Sequence, residues 1–110
     1  MNKDEALIKL CQDMLKDDYV VEQEGWQKLI LIGEVGDVDV SMGGYSYDLQ
    51  GQCLMVSPAA SNLKSLKQLH AVMKADNPTG RGWLKCMIRI SRAGEVGADF
   101  EYDDPERWSH

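Results

Sequence analysis

The run Trp26-Gln27-Lys28-Leu29-Ile30-Leu31-Ile32-Gly33-Glu34-Val35 constrains the fold most. It is strand-sized, rich in Leu, Ile and Val, and preceded by a polar turn, Glu22-Gln23-Glu24-Gly25. Successive side chains on a strand point to opposite faces. Leu29 to Ile32 therefore put apolar groups on both faces, as in an interior strand covered on both sides. Helices can supply one cover. The other must be a second copy of the chain, a partner protein, or the chain's own C-terminal segment.

The flanking patterns supply the other elements. Asn2 with Glu5 reads as a capping box. Leu7, Ile8, Cys11, Met14 and Leu15 recur at helical steps, and the helix ends near Asp17-Asp18. After Trp26–Val35, Gly36-Asp37 turns into a strand with Val38, Val40 and Met42 inward and Asp37, Asp39 and Ser41 outward. Gly43-Gly44 marks a bulge or bend, after which Tyr45 and Tyr47 resume the outward parity. Gln50-Gly51-Gln52 turns into a short strand over Cys53–Val56. Ser57-Pro58 offers a cap and first residue for a second helix, with Leu63, Leu66, Leu69, His70 and Met73 on its apolar stripe. Asn77-Pro78-Thr79-Gly80 stops it. Trp83–Ile90 alternates, with Leu84, Cys86, Ile88 and Ile90 opposite Lys85 and Arg89. The last strand carries Val96, Ala98, Phe100 and Tyr102 inward and Asp99, Glu101 and Asp103 outward.

The order is α-β-β-β-α-β-β with hairpin-length connections between sequential strands. It predicts an α+β two-layer sandwich, with a mainly antiparallel sheet of about five strands and two helices on one face. Residues 1–110 are expected to form a single domain.

Hydrophobic residues make up 44% and charged residues 27% of the 110, which excludes a disordered or fibrous chain. No apolar run approaches membrane-spanning length, and the charged start Met1-Asn2-Lys3-Asp4-Glu5 predicts no signal peptide. Cys11, Cys53 and Cys86 are odd in number and far apart, as expected of reduced thiols in a cytoplasmic protein. Charge falls in blocks. Residues 1–52 hold four Lys and eleven Asp/Glu (−7), residues 53–94 hold seven Lys/Arg and Asp76 (+6), and residues 95–110 hold six acids and Arg107 (−5). A net −6 disfavours direct nucleic-acid binding and favours a basic partner, beyond its ordinary role in solubility.

Candidate chemistry is sparse. His70 lies in an apolar stripe and His110 is terminal, without metal-ligand spacing or a nucleophile motif, so His70 reads as a core-edge residue. The three cysteines read as small hydrophobes on or near apolar faces. Gly43-Gly44, Gly80-Arg81-Gly82, Gly94 and Gly97 lack a phosphate-cradle pattern and read as turns. Asp99, Glu101, Asp103 and Asp104 lack EF-hand spacing; alternate strand residues run parallel and do not converge on a cation. They read either as a solvated face balanced by Lys85 and Arg89 or as an acidic docking surface. Trp26 and Trp83 read as core. Tyr45, Tyr47 and Trp108 set among acids suit an interface, unless Trp108 folds back onto the sheet. No metal and no cofactor is expected.

Several features together resemble the YezG-type immunity or antitoxin proteins. They are the amphipathic first helix, Trp26 leading into Leu29-Ile30-Leu31-Ile32-Gly33-Glu34-Val35, the Tyr45-Ser46-Tyr47 strand, the Leu- and Lys-rich second helix, Gly80-Arg81-Gly82-Trp83, and the ending Phe100-Glu101-Tyr102-Asp103-Asp104. The resemblance spans most of residues 5–104. It implies a cytoplasmic, non-catalytic immunity protein that neutralises a cognate bacterial toxin, commonly a nuclease, by masking its active site. A nuclease holds phosphate with Lys and Arg, so an inhibitor can compete with carboxylates. The expected toxin-binding residues are Asp37, Asp39, Tyr45, Tyr47 and Asp48, and separately Asp99, Glu101, Asp103, Asp104 and Glu106. The expected partner is a basic toxin protein, with no direct nucleic acid, no membrane, and a monomer or weak homodimer when free. The competing readings are a small homo-oligomeric adaptor and a ligand-binding domain or small enzyme with a pocket between helices and sheet.

Overall fold

A computed structural model describes residues 1–108; His110 lies outside them. Helix α1, Lys3–Leu15, begins on its capping box. Asn2 Oδ1 accepts the Glu5 amide at 2.9 Å, and the Glu5 carboxylate accepts the Asn2 amide at 3.3 Å. The pair satisfies two donors that a helix start would otherwise leave open. Strands β1, Trp26–Val35, and β3, Cys53–Val56, have the bounds expected from sequence. β2 spans Val40–Asp48, α2 Leu63–Asp76, β4 Lys85–Ser91 and β5 Val96–Glu101. The order is thus α-β-β-β-α-β-β, an α+β fold. Among the described residues the strands form one antiparallel sheet ordered β3-β2-β1-β4-β5, and no helix is long and apolar enough to cross a membrane.

The central position of β1 explains its doubly apolar sequence. On the helix-facing side Leu29 lies between Ser46 and Ile90, Leu31 between Gly44 and Ile88, and Gly33 between Met42 and Cys86. Ala6, Leu10 and Met14 of α1 and Leu66 and Leu69 of α2 close the same core. Burial of each Leu side chain contributes about 1.5–3 kcal/mol. Trp83 is fully buried, with its ring edge-on to His70 at 4.8 Å and tilted on Phe100 at 5.6 Å. His70 Nε2 lies 3.0 Å from the Trp83 carbonyl oxygen. A carbonyl only accepts, so Nε2 carries the proton. Both Trp26 and Trp83 are core residues, and His70 sits at the core edge, as read from sequence.

Several local expectations are corrected. Ile8 and Leu15 are exposed; the inward face of α1 runs Ala6-Leu10-Met14 with Cys11, because α1 packs chiefly along α2 and the small Ala6 allows close approach. Val38 is 92% exposed, not inward. The Gly36 amide donates to the Asp39 carbonyl at 2.8 Å, leaving Asp37 and Val38 as the tip of a two-residue hairpin. The β1–β2 register runs unbroken through Gly43-Gly44, and its irregularity lies between Trp26 and Lys28. Gly44 serves close approach instead: a Cβ there would lie 1.9 Å from the Ile30 carbonyl oxygen. Helix α2 starts after a 3-10 turn, Ala60–Asn62, and not at Ser57-Pro58. The reason is tertiary. Buried Asp17 accepts the Ala59 amide at 2.7 Å and Asn62 Nδ2 at 2.8 Å, fixing this connection against the end of α1. Cys53 is exposed, because β3 is an edge strand and Cys53 pairs with Tyr47 on the face away from the helices.

Candidate functional site

The sheet face away from the helices can be built from the register. Ser41, Glu34, Lys85 and Glu101 form one row across it; Gly43, Ile32, Met87 and Asp99 form the next. Then come Met55, Tyr45, Ile30, Arg89 and Gly97, and finally Cys53, Tyr47, Lys28 and Ser91. The centre is therefore apolar and aromatic, and the margins are charged.

The chain's C-terminal segment lies on that centre. Asp104 opens a turn with Pro105 behind it: its carbonyl accepts the Arg107 amide at 3.2 Å and its carboxylate the Glu106 amide at 2.9 Å. Trp108, half-buried, encloses with Ile30, Ile32, Tyr45, Tyr47 and Met87 a cleft of about 220 Å³. Buried Lys85 donates from Nζ to the Arg107 carbonyl and to Glu34, each at 3.0 Å. Arg107 Nε lies 3.6 Å from Glu101 Oε1. One of the three covers expected for β1 is thus present, at least over part of the face.

The acidic residues divide by position. Asp37 and Asp39 are exposed in the β1–β2 turn, directly beyond Glu34. Asp103, Asp104 and Glu106 follow β5, directly beyond Glu101. Glu34 and Glu101 flank Lys85 in one row, about 10 Å apart at the usual strand spacing. Two acid groups far apart in sequence therefore leave the sheet at the same end. Asp48 does not join them. It lies at the far end of β2, roughly 30 Å away, where its carboxylate accepts the Gln50 and Gln52 amides and closes the β2–β3 turn.

Compensation is also uneven. Asp99 pairs with Arg89, Glu101 with Arg107, and Asp103 with Arg81 at 2.6 Å. Asp37, Asp39, Asp104 and Glu106 make no ion pair among the described residues. Tyr45 and Tyr47 face outward on β2 as expected, but half-buried, on the floor beneath Trp108. A hydrogen bond with Cys53 holds the Tyr47 phenol above its ordinary pKa, with burial adding to the effect.

Two residues escaped sequence reading. Lys85 was expected on a solvated face; it is buried because the C-terminal turn lies over it. Asp17 looked like a helix end and is a buried strut. Its only sequence signal is an acid where a capping Gly or Lys would be usual. Among the described residues no group of three or more His, Cys, Asp or Glu is arranged to hold a metal ion. What the arrangement offers is recognition chemistry: uncompensated carboxylates at one sheet end beside an apolar, tyrosine-bearing face. Neither a protein-family model nor a curated protein matches the chain.

Proposed function

We propose that this chain is a non-catalytic immunity protein that binds and neutralises a cognate toxin domain in the cytoplasm. The toxin whose chemistry fits best is a basic nuclease, its active site masked by the acidic end of the sheet. The observation that carries this reading is the placement of Asp37 and Asp39 at the same sheet end as Asp104 and Glu106, none of them in an ion pair among the described residues. Like charges gathered at one end destabilise an isolated fold slightly and accelerate encounter with a basic partner. The resemblance to YezG-type proteins points the same way.

Co-expression with the toxin domain encoded beside the gene tests the function: growth is rescued and the two proteins co-purify. Isothermal titration then tests the surface. Asp37→Lys with Asp39→Lys weakens binding at least about tenfold, or 1.4 kcal/mol, while Asp48→Asn changes it less. A smaller loss in the double variant removes these carboxylates from the interface. The exposed edge-strand residue Met55, 76% accessible, favours self-association as the second reading. Light scattering of the free chain decides it, since a stable dimer at micromolar concentration supports the adaptor.

A further inference from the structure

The C-terminal turn is more than a cover. Arg107 and Trp108 together form a basic–aromatic pair, with the guanidinium 5.6 Å from the Trp108 ring centroid. The pair sits over an apolar floor with an acidic margin: Trp108 lines one cleft with Ile30, Tyr45 and Met87, and Arg107 lies beside Glu101. Hydrophobic burial and charge complementarity are both met by two adjacent residues, the anatomy of a small protein interface. Yet the attachment is slight. Arg107 is exposed, its ion pair is long at 3.6 Å, and Trp108 has φ 62°, in the left-handed region that a bulky residue adopts only under strain. Lys85 is held through the Arg107 carbonyl, so the segment lifts by exchanging that bond for water while Lys85 keeps Glu34.

We propose that Arg107 and Trp108, hinged on the Asp104 turn, are a displaceable strap, and that in the complex the toxin places its own basic residue beside an aromatic one where these two now sit. The proposal rests on the immunity reading and adds the chemistry of the contact. The strap shields part of the Ile30, Tyr45 and Met87 surface in the free protein, and its release exposes more of that surface together with Glu101. Binding to the closed form then costs the work of opening, so weakening the strap strengthens the partner's hold.

The test has two arms on the full-length chain. In the first, N-acetyl-Arg-Trp-amide is titrated into methyl-labelled protein followed by NMR. The Trp108→Ala variant shows saturable shifts at Ile30, Ile32 and Met87 in the millimolar range, and the wild type, with Trp108 narrowing the cleft, shows shifts at least about tenfold weaker. Arg107→Glu, which repels Glu101 while keeping Trp108, gives an intermediate response and guards against misfolding of the first variant. Equal response in wild type and variants, or none in either variant, overturns the strap. The second arm measures toxin affinity: both variants bind at least as tightly as wild type. A loss of tenfold or more instead makes Arg107 and Trp108 contacts themselves and overturns displacement. The dipeptide arm uses no toxin, so failure of growth rescue refutes the immunity reading without touching this result.

Discussion

The carboxylate of Asp17 accepts a hydrogen bond from the amide of Ala59, 42 residues later in the chain, at 2.7 Å. The same side chain accepts the Tyr19 amide at 2.9 Å and Asn62 Nδ2 at 2.8 Å. One buried acid thus joins the end of α1 to the start of α2. Removing it leaves part-buried donors without a partner. Asp17→Ala is expected to cost about 2–4 kcal/mol in urea unfolding, and Asp17→Asn, which retains one acceptor oxygen, about half of that. A loss below 1 kcal/mol for the alanine variant would show that water replaces the carboxylate freely.

Gly43 and Gly44 are adjacent on β2 and should respond in opposite ways. A Cβ on Gly44 would lie 1.9 Å from the Ile30 carbonyl oxygen, a backbone atom that cannot move without parting β1 from β2. Gly44→Ala is expected to destabilise by about 3 kcal/mol or more. At Gly43 the nearest atom is the Val56 carbonyl oxygen at 3.6 Å and φ is not in the left-handed region. Gly43→Ala is expected to be neutral or to stabilise by up to about 1 kcal/mol. Thermal melts of the two variants compare them directly.

Burial beside Trp83 is the largest influence on His70 and holds its pKa below the ordinary 6.5, while the hydrogen bond to the Trp83 carbonyl acts in the opposite direction. The unfolded chain therefore takes up the proton first. The contribution of neutral His70 is present above pH 6.5 and is lost as pH falls through the lower folded value. Urea midpoints measured from pH 7.5 to 5 should fall on acidification, and His70→Gln, which keeps an N–H for the carbonyl, should flatten that decline. A variant with the wild-type slope would assign the decline to other groups.

The thiols should separate cleanly. Burial pushes Cys11 up to about 11 and Cys86 to about 12, whereas Cys53 is exposed on the edge strand. The nucleophile is the thiolate, so a disulfide reagent at pH 8 should label one cysteine in the native protein within minutes and three in denaturant. Cys53→Ser should abolish the native reaction. Rapid native labelling of two or three thiols would mean that the core opens on that timescale.

Local patterns decided whatever depended on nearest neighbours along the chain. The Asn2–Glu5 box started α1, the doubly apolar Leu29–Ile32 run made β1 an interior strand, and strict alternation put Cys86, Ile88 and Ile90 opposite Lys85 and Arg89. Periodicity and capping act within a few residues, so one sequence suffices to see them. The parity of Tyr45 and Tyr47 was legible for the same reason, and so was the acidity of each site segment. Three further features needed the folded chain. Asp17 moved the start of α2 by holding Ala59 and Asn62, Lys85 became buried, and Trp108 came to line one cleft with Ile30 and Tyr45. The grouping of Asp37 and Asp39 with Asp104 and Glu106, and the separation of Asp48 from them, came from the strand order β3-β2-β1-β4-β5. Contacts between residues 20 or more positions apart depend on how sheet and helices close on one another, and that closure is a property of the whole chain.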